Sequence, residues 1–441
     1  MYTKILIANR SEIALRIIRA CREMGIKTVA IYSETDKDAL HVGLADESYC
    51  IGPATLADSY LDMDRILTVA LMSEAEAIHP GYGMLSENAL FASKCKEAGI
   101  AFIGPDADII RMMGEKDKAR QLAISADVPV TPGSDLLESC SQAECWADEV
   151  GYPTILKASF GGGGKGIRIV RTKEEMPHAY ETVREEAIRC FGDGSVFAEK
   201  YLENVKHVEV QILADRFGHV RAIGDRDCSI QRKNQKLIEE CPAPTISDAL
   251  RHRLYEAAVR LAEKVGYSTV GTVEYLVTED EQFYFCEMNT RLQVEHTVTE
   301  EVCGTDIVKW QIRTSAGMEL PESTQEVERH AIECRICAED PVSFAPSVGN
   351  IDLLHIPGGY NVRFDCALYQ NMNISPFYDS MLGKLITSAP TREEAIRKMR
   401  SALAEIVIQG IKTNVDMHLD ILSDEEFVSG QYKTDYFTKR R

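Results

Sequence analysis

The sequence predicts a multidomain protein of α/β and α+β character, and three observations predict it. The chain has 441 residues, more than one hydrophobic core ordinarily organises. Its N-terminal part alternates short apolar runs with amphipathic stretches, beginning at residues 4–8, 13–24 and 28–32, the order of a parallel sheet with covering helices. From about residue 203 the pattern changes to longer strands mixed with helices, including a hairpin.

Taken in order, the first strand leads into Asn9-Arg10-Ser11-Glu12. A Rossmann-like topology is expected, but this loop lacks the glycines that let backbone wrap a pyrophosphate, so an NAD site is not expected. Near residue 114 helical segments lead through VPVTPGSD to the strand-like YPTILKAS, which places a boundary between about 112 and 130. Beyond it come the strand VEVQILA, the hairpin TVEYLVTEDEQFYFCEM and a helix over Ile307–Ser315. A final module begins near Ala331.

Composition narrows the function classes. Hydrophobic residues at 45% and charged residues at 27% fit packed structure rather than disorder. The balance of 49 Lys+Arg against 69 Asp+Glu, a net charge of −20, argues against nonspecific nucleic-acid or membrane binding. The 13 cysteines are scattered, the N-terminus MYTKILIANR has no apolar leader, and no run is long enough to span a bilayer. A cytoplasmic protein is expected. Cys334 and Cys337 form a C-x-x-C pair without a second pair, so ordinary reduced cysteines are expected rather than a zinc site.

Several patterns carry chemistry. Lys157-Ala158-Ser159-Phe160 leads into Gly161, Gly162, Gly163, Gly164, Lys165 and Gly166 between two strand-like runs. Successive glycines expose backbone amides and allow close approach to phosphate oxygens, although the spacing is not that of a P-loop. Glu199-Lys200-Tyr201-Leu202 can present backbone and lysine groups to a nucleobase, and connector structure explains it equally well. Glu274 and Glu287 interrupt apolar strands of the hairpin, and alternation places Glu287 and Asn289 on one face. Together they suit magnesium bridging phosphates. Arg291 can orient a small oxyanion and Glu295 can accept its proton, or the two form a structural ion pair. The segment DRDCSIQRKNQKLIEE supplies Gln231, Lys233 and Lys236, either on a solvated surface or in an anion-gathering pocket.

These residues resemble one family closely, the biotin carboxylases of the ATP-grasp superfamily, a component of acetyl-CoA and related carboxylases. The likeness runs from KILIANR through HPGYG, LSEN, the glycine loop, EKYLEN, HVEVQ, RDCS, EMNTR, QVEH, ECRI and AEDP to GIKTNVD, nearly the whole chain. It implies a Rossmann-like pre-ATP-grasp domain over 1–113, an ATP-grasp fold over 114–330 with a mobile glycine-rich lid at about 131–203, and a C-terminal biotin carboxylase domain over 331–441.

The resemblance also implies roles. Lys116 and Lys157 contact ATP phosphates, with Glu199, Lys200 and Leu202 beside adenine and His207 and Gln231 toward the ribose. Glu274, Glu287 and Asn289 match the region for Mg2+ or Mn2+, and Lys236, Arg291, Val294 and Glu295 the bicarbonate region. Arg335 matches the arginine that stabilises the biotin enolate; from local sequence alone it is equally a buried partner of Glu333 or Glu339. The implied chemistry is deprotonation of bicarbonate by Glu295, attack on the γ-phosphorus to give carboxyphosphate and ADP, release of carbon dioxide and phosphate, and carboxylation of the biotin enolate. Implied partners are a biotin carboxyl carrier protein, a separate carboxyltransferase and a second copy of the chain, through regions containing Arg19, Glu23, Tyr360 and Arg363. With acetyl-CoA as final acceptor, the pathway is fatty acid biosynthesis. The alternatives are an ATP-grasp ligase acting on another carboxylate and a noncatalytic nucleotide-binding subunit.

Four positions depart from the family pattern. Asn234 stands where a histidine near ATP is usual, Phe160 and Ser11 replace glycines, and Thr297 replaces a proline. Asparagine keeps a hydrogen bond but not an imidazolium charge, so Asn234 bears on nucleotide affinity or rate rather than reaction class. Phe160 is expected to restrict lid motion, with the remaining glycines supplying a hinge.

Overall fold

The computed structural model describes residues 1–160, 166–321 and 329–440. The N-terminal unit is the expected parallel sheet. Its strands β1 (Lys4–Ile7), β2 (Lys27–Ser33), β3 (Glu47–Gly52), β4 (Ala77–His79) and β5 (Ala101–Phe102) lie in the order β3-β2-β1-β4-β5. Helix α1 (Ser11–Glu23) joins β1 to β2 and contributes Ile13, Ile17 and Ile18 to the core. Ile5, Leu6 and Ile7 are fully buried because both faces of β1 are covered. After β1 the side chains close the turn. Asn9 donates to the carbonyls of Pro80 and Tyr82 at 2.7 and 2.8 Å, and Arg10 grips Asp36 through two bonds of 2.6 and 2.7 Å. Ser11 sits at φ 56°, a region L-residues enter at a cost.

Helix α2 (Lys116–Ser125) leads to a smaller unit. There α3 (Cys140–Val150) and α4 (Met176–Phe191) cover an antiparallel sheet of β6 (Thr154–Ala158), β7 (Ile167–Val170) and β8 (Val196–Lys200), ordered β7-β6-β8. Ala143, Ala147, Leu156, Val183 and Val196 form its own core. This unit carries the glycine loop, whose residues Gly161, Gly162, Gly163, Gly164 and Lys165 lie outside the described residues. Gly166 is described: its carbonyl accepts from the Ala158 amide at 2.8 Å. Phe160 bridges to Glu115, and the Lys116 amide donates to the Ser159 carbonyl at 2.9 Å, so the strand entering the loop is tied to the start of α2.

The largest sheet contains β9 (Lys206–Ala214), β10 (Val220–Arg232), β11 (Gln235–Cys241), β12 (Val270–Val277), β13 (Phe283–Asn289), β14 (His330–Cys337), β15 (Val362–Cys366) and β16 (Met381–Ala389). Their order is β13-β12-β9-β10-β11-β14-β16-β15. Helix α5 (Asp248–Lys264) packs on one face, while α6 (His296–Cys303) and α7 (Ile307–Ser315) follow β13. The expected hairpin and helix are present. Strand β14 pairs with both β11 and β16, so sheet hydrogen bonds cross the expected 330/331 boundary.

Strand β9 shows why the site lies on one face. Val208, Val210 and Ile212 join the apolar core under α5, and the alternate residues His207, Glu209 and Gln211 point the other way. All are buried. Burying so many polar groups is costly unless each is paired, and the pairing defines the site.

Candidate active site

Strands β12 and β13 bring the two hairpin acids together. Glu274 stands opposite Glu287, and the register then slips so that Tyr275 faces Phe285, which leaves Cys286 bulged. Asn289 Nδ2 donates to Glu274 Oε1 at 2.8 Å, and Lys116 holds Glu287 at 2.9 Å. Lys116 is the main cause that keeps the Glu287 carboxyl below its ordinary range. Two opposed carboxylates and an amide form an oxygen-rich set that fits a hard divalent cation. A second grouping shares Glu274: His207, Glu209 and Glu274 have ligand atoms within 4.8 Å of one another. His207 Nε2 lies 3.0 Å from Glu274 Oε2; burial works against its protonation, but Glu274 outweighs this and raises its pKa.

Lys236 is the hub. Its ammonium donates to Glu209 at 2.6 Å, Glu274 at 3.0 Å and Glu295 at 2.6 Å. Burial alone would favour neutral lysine, yet three carboxylates hold it cationic. Burial likewise works to protonate Glu295, but Lys236, Arg335 and Arg226 keep its carboxyl well below the usual range. In this state Glu295 is an ionised, fully hydrogen-bonded carboxylate and a weak base.

Arg335 donates from Nε to Glu239 at 2.6 Å and from an Nη to Glu295 at 2.9 Å. The local pairing with Glu333 or Glu339 is therefore corrected. Glu333 accepts from the Thr297 hydroxyl, and Glu339 from Ser380 at 2.6 Å. A side chain two residues away along a strand shares its face but lies farther off than cross-strand neighbours. The Arg291–Glu295 ion pair is likewise not formed. Arg291 donates to Glu87 at 2.8 Å, Asn289 Oδ1 at 2.8 Å and the Leu292 carbonyl at 3.2 Å. The Val294 carbonyl accepts from the buried Lys384 at 2.6 Å.

On the nucleotide side, Lys116, Arg120, Lys157, Glu199 and Glu287 line a small cavity of about 60 Å³ with Phe285 and Cys286. Glu199 accepts from Lys157 and, at 3.1 Å, from Arg120. Burial pushes the Cys286 thiol up to about 12. The Lys200 ammonium holds the carbonyls of Gly151 and Tyr152 at 2.8 and 3.1 Å, which leaves backbone as what Glu199 to Leu202 can offer a base. Leu202 is half-buried. Gln231 donates to the Cys228 carbonyl at 2.8 Å. Lys233 and Asn234 form the two-residue turn between β10 and β11, both at positive φ, 49° and 63°, the conformation in which asparagine is favoured.

Four site residues escaped the sequence reading. Glu209 completes the Lys236 shell and was findable as the alternate residue after His207 on one strand. Arg226, without exposure, bonds Glu209, Gln211, Thr272, Gln293 and Thr299. Gln293 also donates to Glu274 at 2.8 Å. Glu87 holds Arg291 from the N-terminal unit, and no local signal joins them. Cys334 and Cys337 are buried free thiols, and neither belongs to a metal-ligand cluster among the described residues. No helix of the described residues is long and apolar enough to cross a membrane.

Family models match three stretches: "Biotin carboxylase, N-terminal domain" over 1–110, "Carbamoyl-phosphate synthase L chain, ATP binding domain" over 115–323 and "Biotin carboxylase C-terminal domain" over 333–439. The chain is 52% identical to Biotin carboxylase 1 of Bacillus subtilis, covering 99% of this chain and 98% of that one. It is 48% identical to the 2-oxoglutarate carboxylase small subunit of Hydrogenobacter thermophilus, covering 99% and 93%. Among solved structures, a biotin carboxylase complex with β,γ-ATP from Campylobacter jejuni superposes with a TM-score of 0.98 at 47% identity, covering 100% and 99%. The Hydrogenobacter thermophilus biotin carboxylase domain dimer, bound to MgADP, ADP and bicarbonate, gives 0.96 at 47%, covering 100% and 98%.

Proposed function

We propose a residue-level mechanism from the premise that this chain belongs to the biotin carboxylase family, as an ATP-dependent, bicarbonate-using enzyme of the ATP-grasp superfamily. The observation that carries the assignment of roles is the junction at Glu295: one carboxylate accepts from both Lys236 and Arg335. A proton acceptor and two cations thus meet where a bicarbonate and a biotin would have to meet.

On this reading Lys116 and Lys157 bind ATP phosphates by exchanging Glu287 and Glu199 for the entering anion. The glycine loop is assigned to the phosphates by its sequence alone, and the backbone of Glu199 to Leu202 borders adenine, with His207, Gln231 and Asn234 toward the sugar and phosphates. Glu274, Glu287 and Asn289 would hold Mg2+, which would supply positive charge against the phosphates. Bicarbonate sits among Arg291, Lys236 and the Val294 backbone. Its negative charge draws Lys236 away from Glu295, and a Glu295 relieved of that cation becomes the stronger base that takes the bicarbonate proton. The bicarbonate oxygen then attacks the γ-phosphorus, giving carboxyphosphate and ADP. Carboxyphosphate yields carbon dioxide and phosphate, phosphate removes the biotin N1′ proton, and Arg335 stabilises the enolate that captures carbon dioxide.

The biotin is carried by a separate carrier protein, and a separate carboxyltransferase chooses the final acceptor, with acetyl-CoA and fatty acid biosynthesis as one assignment. We place the enzyme in the cytoplasm, in line with its free cysteines. A homodimer is proposed through Arg19, Glu23 and Tyr360, all exposed, and Arg363. Arg16, Arg19, Glu23 and Arg363 line one open, mixed-charge pocket with a volume of about 400 Å³, and solution mass at several concentrations tests the dimer.

The deciding experiment measures ADP release with ATP-Mg2+, with and without bicarbonate and free biotin. Bicarbonate-dependent hydrolysis stimulated by biotin is expected; its absence in the folded protein rejects the assignment.

A further inference from the structure

Strands β11 and β14 place Glu239 directly opposite Glu333. Neither has any exposure. Each carboxylate spends one oxygen on a known partner: Glu239 Oε1 accepts from Arg335 Nε at 2.6 Å, and Glu333 Oε2 accepts from the Thr297 hydroxyl. The other oxygens, Glu239 Oε2 and Glu333 Oε1, are buried without a partner among the described residues. Two ionised carboxylates cannot satisfy each other, because both only accept. One proton converts one of them into a donor.

The surrounding charges leave that proton the natural remedy. Arg335 from β14 already divides itself between Glu239 and Glu295. Lys384 from β16 is committed to the Val294 carbonyl and lies 3.5 Å from Glu12. Lys236 from β11 serves three other carboxylates. The thiols of Cys228 and Cys334 are kept neutral by burial, as is the Tyr82 hydroxyl, which donates to Glu12. Burial, opposed by Arg335 at Glu239 and by Lys384 at Glu333, raises both acids above the ordinary carboxylate value.

We propose that Glu239 and Glu333 share one proton, and that the pair acts as a positioning device that fixes Arg335 and limits the negative charge behind it. This rests on the reading that Arg335 faces biotin. With one proton, Glu239 anchors Nε while Arg335 retains positive potential for the developing enolate. With the proton lost, Arg335 is flanked by three carboxylates and its field at the enolate oxygen weakens. The biotin half-reaction therefore fails on the alkaline side. Thr297, standing where the family has proline, ties this chain's pair to α6: its hydroxyl stabilises ionised Glu333 and so lowers the pH at which the proton leaves.

The test combines infrared difference spectra with the pH dependence of kcat/KM for free biotin, for the full chain and for E333Q, E239Q and T297V. The parent is expected to show a protonated-carboxyl band at neutral pH that disappears on alkalinisation. E333Q replaces the shared proton with a permanent amide donor, so it loses that band and moves the alkaline limb up by about one pH unit or more. E239Q keeps an acceptor for Arg335 Nε but removes the charge that anchors it, and raises KM for biotin more than it lowers kcat. T297V shifts loss of the band to higher pH. No such band in the parent, or a band and pH profile unaltered in E333Q, overturns the proposal. A parent with the band but no biotin-dependent turnover instead overturns the reading of Arg335, and with it the positioning role.

Discussion

The Lys236 ammonium sits 2.6 Å from Glu295 Oε1 while also binding Glu209 and Glu274. One cation therefore joins the carboxylate assigned to proton transfer to the carboxylate assigned to the metal. Anything that recruits Lys236, a bicarbonate or a phosphate oxygen, changes the basicity of Glu295 and the charge at Glu274 together.

Glu295→Gln tests the base directly. The amide oxygen can still accept from Lys236 or Arg335, but the group cannot take a proton. Bicarbonate-dependent ADP release is expected to fall by about 100-fold or more, with ATP-Mg2+ binding retained in a fluorescent-nucleotide titration. Bicarbonate-dependent turnover close to that of the parent would remove Glu295 from the mechanism.

Lys236→Met probes the same hub through stability. In the parent, burial opposes ionisation of Glu274 and Glu295, yet Lys236 and its neighbours depress both. Depressed folded-state values mean that this stabilisation is present above the unfolded carboxylate pKa of about 4.3 and is lost as pH falls through the folded values. Removing the ammonium takes from three buried carboxylates the cation they share, at a cost of about 3–5 kcal/mol near neutral pH. Melting temperatures measured across pH should show the largest gap between parent and variant at neutral pH, narrowing on acidification as the acids protonate. A gap independent of pH would mean lost packing rather than lost charge.

Ser11→Gly isolates a backbone feature. Ser11 holds φ 56° at the start of α1, where the N-cap residue Arg10 makes no side-chain capping bond. The left-handed conformation costs about 1–2 kcal/mol for an L-residue, against about 0.5–1 kcal/mol for the extra freedom of unfolded glycine. A small net gain is expected, visible as a raised melting temperature of the first unfolding step. A lowered value would show that the serine side chain compensates the strain.

What was legible in the sequence was whatever depends on local periodicity. The parallel N-terminal sheet, the β12–β13 hairpin and helix α7 all follow from apolar spacing and turn residues. Glu274 could be placed near Glu287 for the same reason. The bulge at Cys286, which puts the two acids opposite each other, could not, because register depends on what the neighbouring strands accept. Nor could the partners of Arg335: Glu333 and Glu339 are near in sequence, but Glu239 arrives from β11 and Glu295 from the loop before α6. Arg291 found its partner Glu87 in another domain. Long-range pairing of charges is a property of topology, and the family motifs located those charges without stating whom they bind.

Asn234→His restores the family's usual residue at the β10–β11 turn. Asn234 is exposed and in the left-handed conformation, which asparagine adopts readily and histidine tolerates. The backbone therefore has no reason to resist the change, and its effect should fall on the nucleotide. A charge-assisted hydrogen bond exceeds a neutral one by about 1 kcal/mol, so KM for ATP should drop by about five-fold at a pH where the imidazole is protonated, with less change where it is neutral. Asn234→Gly keeps the turn geometry and removes the side chain; it should raise KM for ATP without lowering the melting temperature appreciably. If neither variant moves KM or turnover, residue 234 serves the turn alone, and the asparagine is there for its backbone conformation.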